Sequence, residues 1–244
     1  MDDQVNFGFQ KVAKNEKQNL VGQVFSSVAH KYDLMNDVMS LGIHRLWKAK
    51  LIEELDPNKA LLDMASGTGD IAKRYYQKSK NAKITLCDIN LEMLKTGRNR
   101  LIDENIFQGL DFISCNAEIL PFKDLTYDYY TIAFGIRNVT DISKALKEAC
   151  RVLRPGGKFV CLEFARVQNK VLAQLYDFYS LNIIPKIGDA ITGDGDSYKY
   201  LVESIRTFPA QEEFIKMMDD AGFRVNKFQN LSNGIVALYT GYRV

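Results

Sequence analysis

The stretch from Ala60 to Asp70 narrows the choice of fold most. Ala60-Leu61-Leu62-Asp63-Met64-Ala65 is a short apolar run, the mark of a strand buried on both faces. It breaks at Ser66-Gly67-Thr68-Gly69-Asp70, and a helix follows from Ile71 to about Gln77. A strand that turns on glycines straight into a helix begins a βαβ unit. The glycines let the backbone approach a ligand, and the helix N-terminus offers unpaired N–H donors.

The same alternation continues down the chain. Lys83 to Cys87 reads as a strand ending at Asp88, and Asn90 is placed to cap a helix over Leu91 to Leu101. Leu110 to Cys115 and Tyr127 to Phe134 are further strands, and Asp141 precedes a helix from Ile142 to Leu153. The turn Arg154-Pro155-Gly156-Gly157 leads into a strand from Lys158 to Leu162. Gln211 to Ala221 is a helix closed by Gly222. Phe223 to Phe228 and Ile235 to Tyr239 then form a terminal antiparallel hairpin. Strand and helix in alternation predict an α/β, Rossmann-like domain with a mostly parallel sheet and helices on both faces.

A chain of 244 residues fits one large domain, and 46% apolar residues supply a full core. Residues 1–19 are polar and expected to be a mobile tail. Residues 20–58 read as an N-terminal helical cap, with Leu46, Trp47, Leu51 and Ile52 on the inner face of its second helix. Residues 166–208 lack strand periodicity and read as an inserted helical lid. The 32 basic and 30 acidic residues nearly balance, which disfavours a dedicated nucleic-acid binder. No apolar run approaches the roughly 18 residues of a membrane span, and no secretory leader is recognisable. Cys87, Cys115, Cys150 and Cys161 form no C-x-x-C pair, so reduced thiols in a cytoplasmic protein are expected. His30 and His44 stand alone, and no metal site is expected.

Asp88 lies about 20 residues beyond the glycine turn, where an acid of a doubly wound fold meets ribose hydroxyls. Gly67-x-Gly69-x-x-Ala72 fits a nicotinamide dinucleotide as well as S-adenosylmethionine. Three features favour the methyl donor. Asp63 on the strand would repel a pyrophosphate but attract the amino-acid end of the donor. Asn116-Ala117-Glu118 follows the third strand, where an amide can read an adenine edge. Arg151 to Gly157 forms a tight turn before the fifth strand.

These residues resemble the class I S-adenosylmethionine-dependent methyltransferases, and among them the UbiE-type C-methyltransferases of ubiquinone and menaquinone biosynthesis. The resemblance rests on Tyr32 to Trp47, Asp63 to Asp70, the Phe134-Gly135-Ile136-Arg137-Asn138-Val139 tract, Arg151 to Glu163 and Tyr200 to Arg206. It implies a seven-stranded sheet and a donor site drawn from Asp63, Gly67, Thr68, Gly69, Asp88, Asn116 and Ala117. The family often carries Ser shortly before the FG of this tract, where Ala133 stands here, and Ser in place of Ala165.

The implied reaction methylates a ring carbon of a polyprenyl hydroquinone, which needs deprotonation of a ring hydroxyl and in-line approach. Arg137 and Asn138 are the catalytic candidates: the guanidinium to stabilise a phenolate, the amide to orient a water. An ion pair of Arg137 with an acid such as Asp141 is the structural alternative. Tyr32, Asp33, Asn36, His44, Tyr200 and Arg206 form a second tier, and Leu172 to Ile187 could line a tunnel for the tail. The lipid-tailed substrate implies peripheral contact with the inner membrane face. A homodimer, or a place in a quinone-biosynthesis complex, is compatible with the sequence. Another small-molecule acceptor and a catalytically silent donor-binding scaffold stay open as alternatives.

Overall fold

The computed structural model describes residues 4–28, 36, 37, 40, 42–168, 174, 179–183 and 195–244. The chain opens with an antiparallel hairpin, β1 (Gln4–Phe7) and β2 (Gln10–Ala13), followed by α1 (Lys14–Val28) and α2 (His44–Glu53). Next come β3 (Leu61–Met64), α3 (Asp70–Lys78), β4 (Ile84–Asp88), α4 (Leu91–Asp103) and β5 (Leu110–Ser114). Then follow β6 (Tyr127–Ala133), a 3-10 turn over Ile136–Asn138, α5 (Ile142–Val152) and β7 (Leu153–Phe164). The chain closes with α6 (Gly195–Thr207), α7 (Gln211–Asp220), β8 (Phe223–Leu231) and β9 (Val236–Arg243).

Seven strands form one sheet in the order β5-β4-β3-β6-β7-β9-β8. The first five are mutually parallel, and β9 runs antiparallel to both β7 and β8. Successive side chains point to opposite faces of the sheet. Leu61, Ile84, Leu86, Tyr129 and Leu162 face α2, α3, α4 and α6, while Leu62, Cys87, Tyr130, Ile132 and Phe159 face α5 and α7. Both faces of β3 and β4 are covered, so every residue in them is buried, the polar Asp63, Thr85 and Asp88 included. Asn90 caps α4, accepting from the N–H of Glu92 and Met93 at 3.0 and 3.1 Å, as its position ahead of the helix predicts.

Two parts differ from the sequence reading. In place of a mobile tail, residues 4–19 are folded into the β1–β2 hairpin and the start of α1. Phe7 stacks on Tyr200 with ring centroids 4.3 Å apart, and the Phe9 N–H donates to Glu203 at 3.1 Å. The partners that hold the hairpin lie nearly the whole chain away, beyond the reach of local pattern. In α2 the buried face is His44, Trp47, Lys48 and Leu51, and Leu46 is 68% exposed. Trp47 packs against Phe134 and Phe164, and Lys48 reaches Asp70 at 2.9 Å, which rotates Leu46 outward. Of the expected lid, α6 and a π-helical turn over Tyr179–Ile183 are described. Most of Leu172 to Ile187, and all of Tyr32 and Asp33, lie outside the described residues.

Candidate active site

Chain order reverses between β3 and β6, and an open crevice forms at the carboxyl ends of such a strand pair. The cleft there holds about 790 Å³ of empty space counting its mouth, within the range of small-molecule sites. Its wall is made by residues at and just beyond the strand ends: Met64 at the end of β3 with Ala65 after it, Asp88 at the end of β4, Asn116 and Ala117 after β5, Phe134 and Gly135 after β6. Ala65 and Phe134 both take left-handed backbone, φ 52° and 57°, a costly conformation for residues with a Cβ. The two turns touch. A Cβ on Gly135 would stand 2.5 Å from that of Ala65, so the glycine of the FG pair is needed for the central strands to end side by side.

The residues expected at a donor site are divided between the cleft wall and the structure behind it. Gly67, Asp88, Asn116 and Ala117 line the cleft, whereas Asp63, Thr68 and Gly69 are not among its lining residues. The Asp88 carboxylate accepts from the Gly67 N–H and the Asn90 N–H, each at 2.9 Å. Burial pushes its acid up to about 6, against the pull of those two donors. Each carboxylate oxygen keeps a lone pair for a ligand hydroxyl. Gly69, at φ 78°, is the N-cap of α3. Asn116 Oδ1 accepts from the Glu118 N–H at 2.9 Å, and its Nδ2 donates to Gln18 Oε1 of α1 at 3.5 Å, across the roof of the cleft.

Asp63 is buried. One of its oxygens accepts from the Thr131 hydroxyl at 2.8 Å, and Oδ2 is sealed from solvent with no hydrogen-bond partner among the described residues. Burial raises this acid to about 7. A half-satisfied buried carboxylate behind Met64 and Ala65 suits a donor that brings positive charge, so these residues fit S-adenosylmethionine.

Three contributors carry weak local signals. Gly97 of α4 presses on the glycine turn, and a Cβ there would lie 2.7 Å from the Gly67 carbonyl oxygen. Its signal is a lone glycine inside a helical pattern. Helix α1 roofs the cleft with Gln18, Val21, Gly22 and Phe25. It is tied by the Asn90 amide to the Gly22 carbonyl at 3.0 Å and by the Lys17 ammonium to the Val139 carbonyl at 2.9 Å. Burial draws Lys17 down to about 8, with Glu118 opposing. The third is Glu163.

Arg137 is buried behind the lining. Nη1 donates to Glu163 at 2.8 Å and to the Phe134 carbonyl at 2.5 Å, and Nε donates to Ser204 at 3.3 Å. Nη2 has no hydrogen-bond partner among the described residues. Burial pushes the Glu163 carboxyl up, with Arg137 opposing. The partner is Glu163 rather than Asp141, because Asp141 caps α5 through the Lys144 N–H at 2.9 Å. Asn138 does line the cleft, and its Oδ1 accepts from the Tyr200 phenol at 3.0 Å. His44 is absent from the lining; its Nδ1 sits 2.8 Å from the Ser40 hydroxyl. Arg206 is bound to the Val202 carbonyl and Ser180.

A seven-stranded sheet of this order, with its ligand cleft at the switch point, defines a class I methyltransferase fold. A SAM-dependent methyltransferase of Thermotoga maritima, a possible histamine N-methyltransferase, superposes with a TM-score of 0.63 at 21% identity, over 91% of this chain and 99% of that one. The [4+2]-cyclase SpnF gives 0.67 at 16% identity, over 91% and 94%. Likeness at such identity concerns fold alone. The chain belongs to the ubiE/COQ5 methyltransferase family, whose model matches residues 10–243. The ubiquinone/menaquinone biosynthesis C-methyltransferase UbiE of Rickettsia bellii (strain RML369-C) is 56% identical over 247 aligned residues, 99% of this chain and 100% of that protein. The protein of the same name from Rickettsia rickettsii (strain Sheila Smith) is 56% identical over 245, covering 98% and 99%.

Proposed function

We propose that this protein methylates a ring carbon of a polyprenylated hydroquinone in ubiquinone and menaquinone biosynthesis, with S-adenosylmethionine as donor. The observation that carries the reading is full-length identity of 56% to C-methyltransferases of that name, in a chain whose switch-point cleft keeps Gly67, Asp88, Asn116 and Asn138 on its wall.

Asp88 receives the ribose hydroxyls, Asn116 the adenine edge, and Asp63 balances the positive end of the donor from behind the strand. The bound donor supplies an electrophilic methyl on a sulfonium. The Asn138 amide on the cleft wall offers a donor to a ring oxygen whose proton passes to a water, and the Arg137 guanidinium behind that wall favours the phenolate by its charge; electron density moves onto the neighbouring carbon, which takes the methyl and then loses its own proton to water. Transfer between a sulfonium and a phenolate annihilates charge, so the apolar walls made by Val21, Phe25, Met64 and Phe134 favour it. The α1 roof holds water away from the reacting atoms.

The substrate's tail belongs in a bilayer, and the protein meets that surface peripherally at the cytoplasmic face. Among the described residues no helix is long and apolar enough to cross a membrane. The test is methyl transfer from labelled donor to a short-tail benzoquinol and a short-tail naphthoquinol by the purified protein. Label in either quinol supports the reading. Tight donor binding with no label in either ring would leave a silent scaffold or another acceptor in its place.

A further inference from the structure

We propose that Tyr200 is a positioning residue for methyl transfer: its phenol turns the Asn138 amide so that the N–H side faces the acceptor oxygen, and the N-terminal hairpin holds Tyr200 there through Phe7. This rests on the quinol reading given above.

An asparagine amide is a donor at one end and an acceptor at the other, and its orientation follows from its partners. The Tyr200 O–H donates to Asn138 Oδ1 at 3.0 Å. That bond occupies the acceptor end and leaves Nδ2 for the cleft that Asn138 lines. The opposite flip would set oxygen lone pairs against a developing phenolate. Burial raises Tyr200 to about 12, so the phenol stays a donor at every working pH. The ring of Tyr200 is itself fixed. Phe7 of β1 stacks on it at 4.3 Å with planes 22° apart. Farther along α6, Glu203 accepts the Phe9 N–H at 3.1 Å. Between them Gly8 turns left-handed at φ 59°, and a Cβ there would collide with the Glu203 carboxylate. The hairpin is thereby shaped to α6 and bears on the site through two side chains.

Tyr200→Phe keeps the ring and its stack and removes only the O–H. With S-adenosylmethionine and a short-tail demethylated quinol, its kcat should fall about tenfold while donor KM stays within about twofold. The melting temperature should not move. In an Asn138→Ala background the same change should add no further loss, since the group it orients is gone. Phe7→Ala, which loosens Tyr200 without removing its O–H, should lower kcat about threefold. A Tyr200→Phe enzyme with kcat within about twofold of wild type overturns the proposal, as does a loss that multiplies fully in the Asn138→Ala background. A wild-type protein without quinol turnover overturns the functional reading and this role together.

Discussion

The two halves of the cleft are built on different scales. On the donor side, Gly67, Asp88 and Asn116 leave three neighbouring parallel strands, and the polar contacts that shape them are largely backbone N–H groups. On the acceptor side the groups are held by side chains from remote elements: Glu163 and Ser204 on Arg137, Tyr200 on Asn138, Phe7 on Tyr200. Backbone donors at strand ends come with the fold and survive substitution. Side-chain scaffolds that join residues 26 to 67 positions apart, and farther still for Phe7 and Tyr200, can be dismantled by one change.

The acceptor side should therefore break first. Glu163→Ala leaves the guanidinium of Arg137 buried without its counter-charge, which costs about 3–5 kcal/mol. Urea unfolding should show that loss, and a change below about 1 kcal/mol would erase the contrast between the halves.

On the donor side the largest effect should come from Asp88→Ala, which orphans two N–H donors and removes the acceptor proposed for the ribose. Donor binding by calorimetry should weaken about 100-fold. Gly97→Ala should come next, because its Cβ would meet the Gly67 carbonyl at 2.7 Å and push the glycine turn. A stability loss of about 1–3 kcal/mol is expected, with weaker donor binding. If binding holds while stability falls, the turn moves independently of the helix behind it.

A pH series separates the halves by charge. Asp63 titrates near 7 in the folded protein against 3.8 for the free side chain, so the native state holds the extra proton between those values. Stability of the donor-free protein should fall as pH rises through that window. A cationic donor favours the ionised form, so its affinity should rise toward about pH 7 and level off above. Affinity that is flat from pH 5 to 8 would place the donor's charge away from Asp63. The smallest effect is expected from Ala133→Ser. Ala133 packs against the core and is not among the cleft-lining residues, so donor affinity should change by less than about twofold.

Wherever a signal depends on neighbours in the chain, it could be read ahead of the structure. The apolar runs that became β3 to β6, the glycine turn, the Asn90 and Asp141 caps and the terminal hairpin are all local, set by burial period, positive φ and unpaired helix N–H groups. Asp88 and Asn116 follow from those elements, since the end of a buried parallel strand is where a ligand meets the sheet. Folding alone chose Glu163 over Asp141 as the partner of Arg137, set Asp63, Thr68 and Gly69 behind the lining, and turned the first residues into a hairpin against α6. Those outcomes depend on which side chains meet across long stretches of chain. Residue type and spacing leave that undetermined, because an arginine satisfies its charge as well with one carboxylate as with another until packing brings one of them within reach.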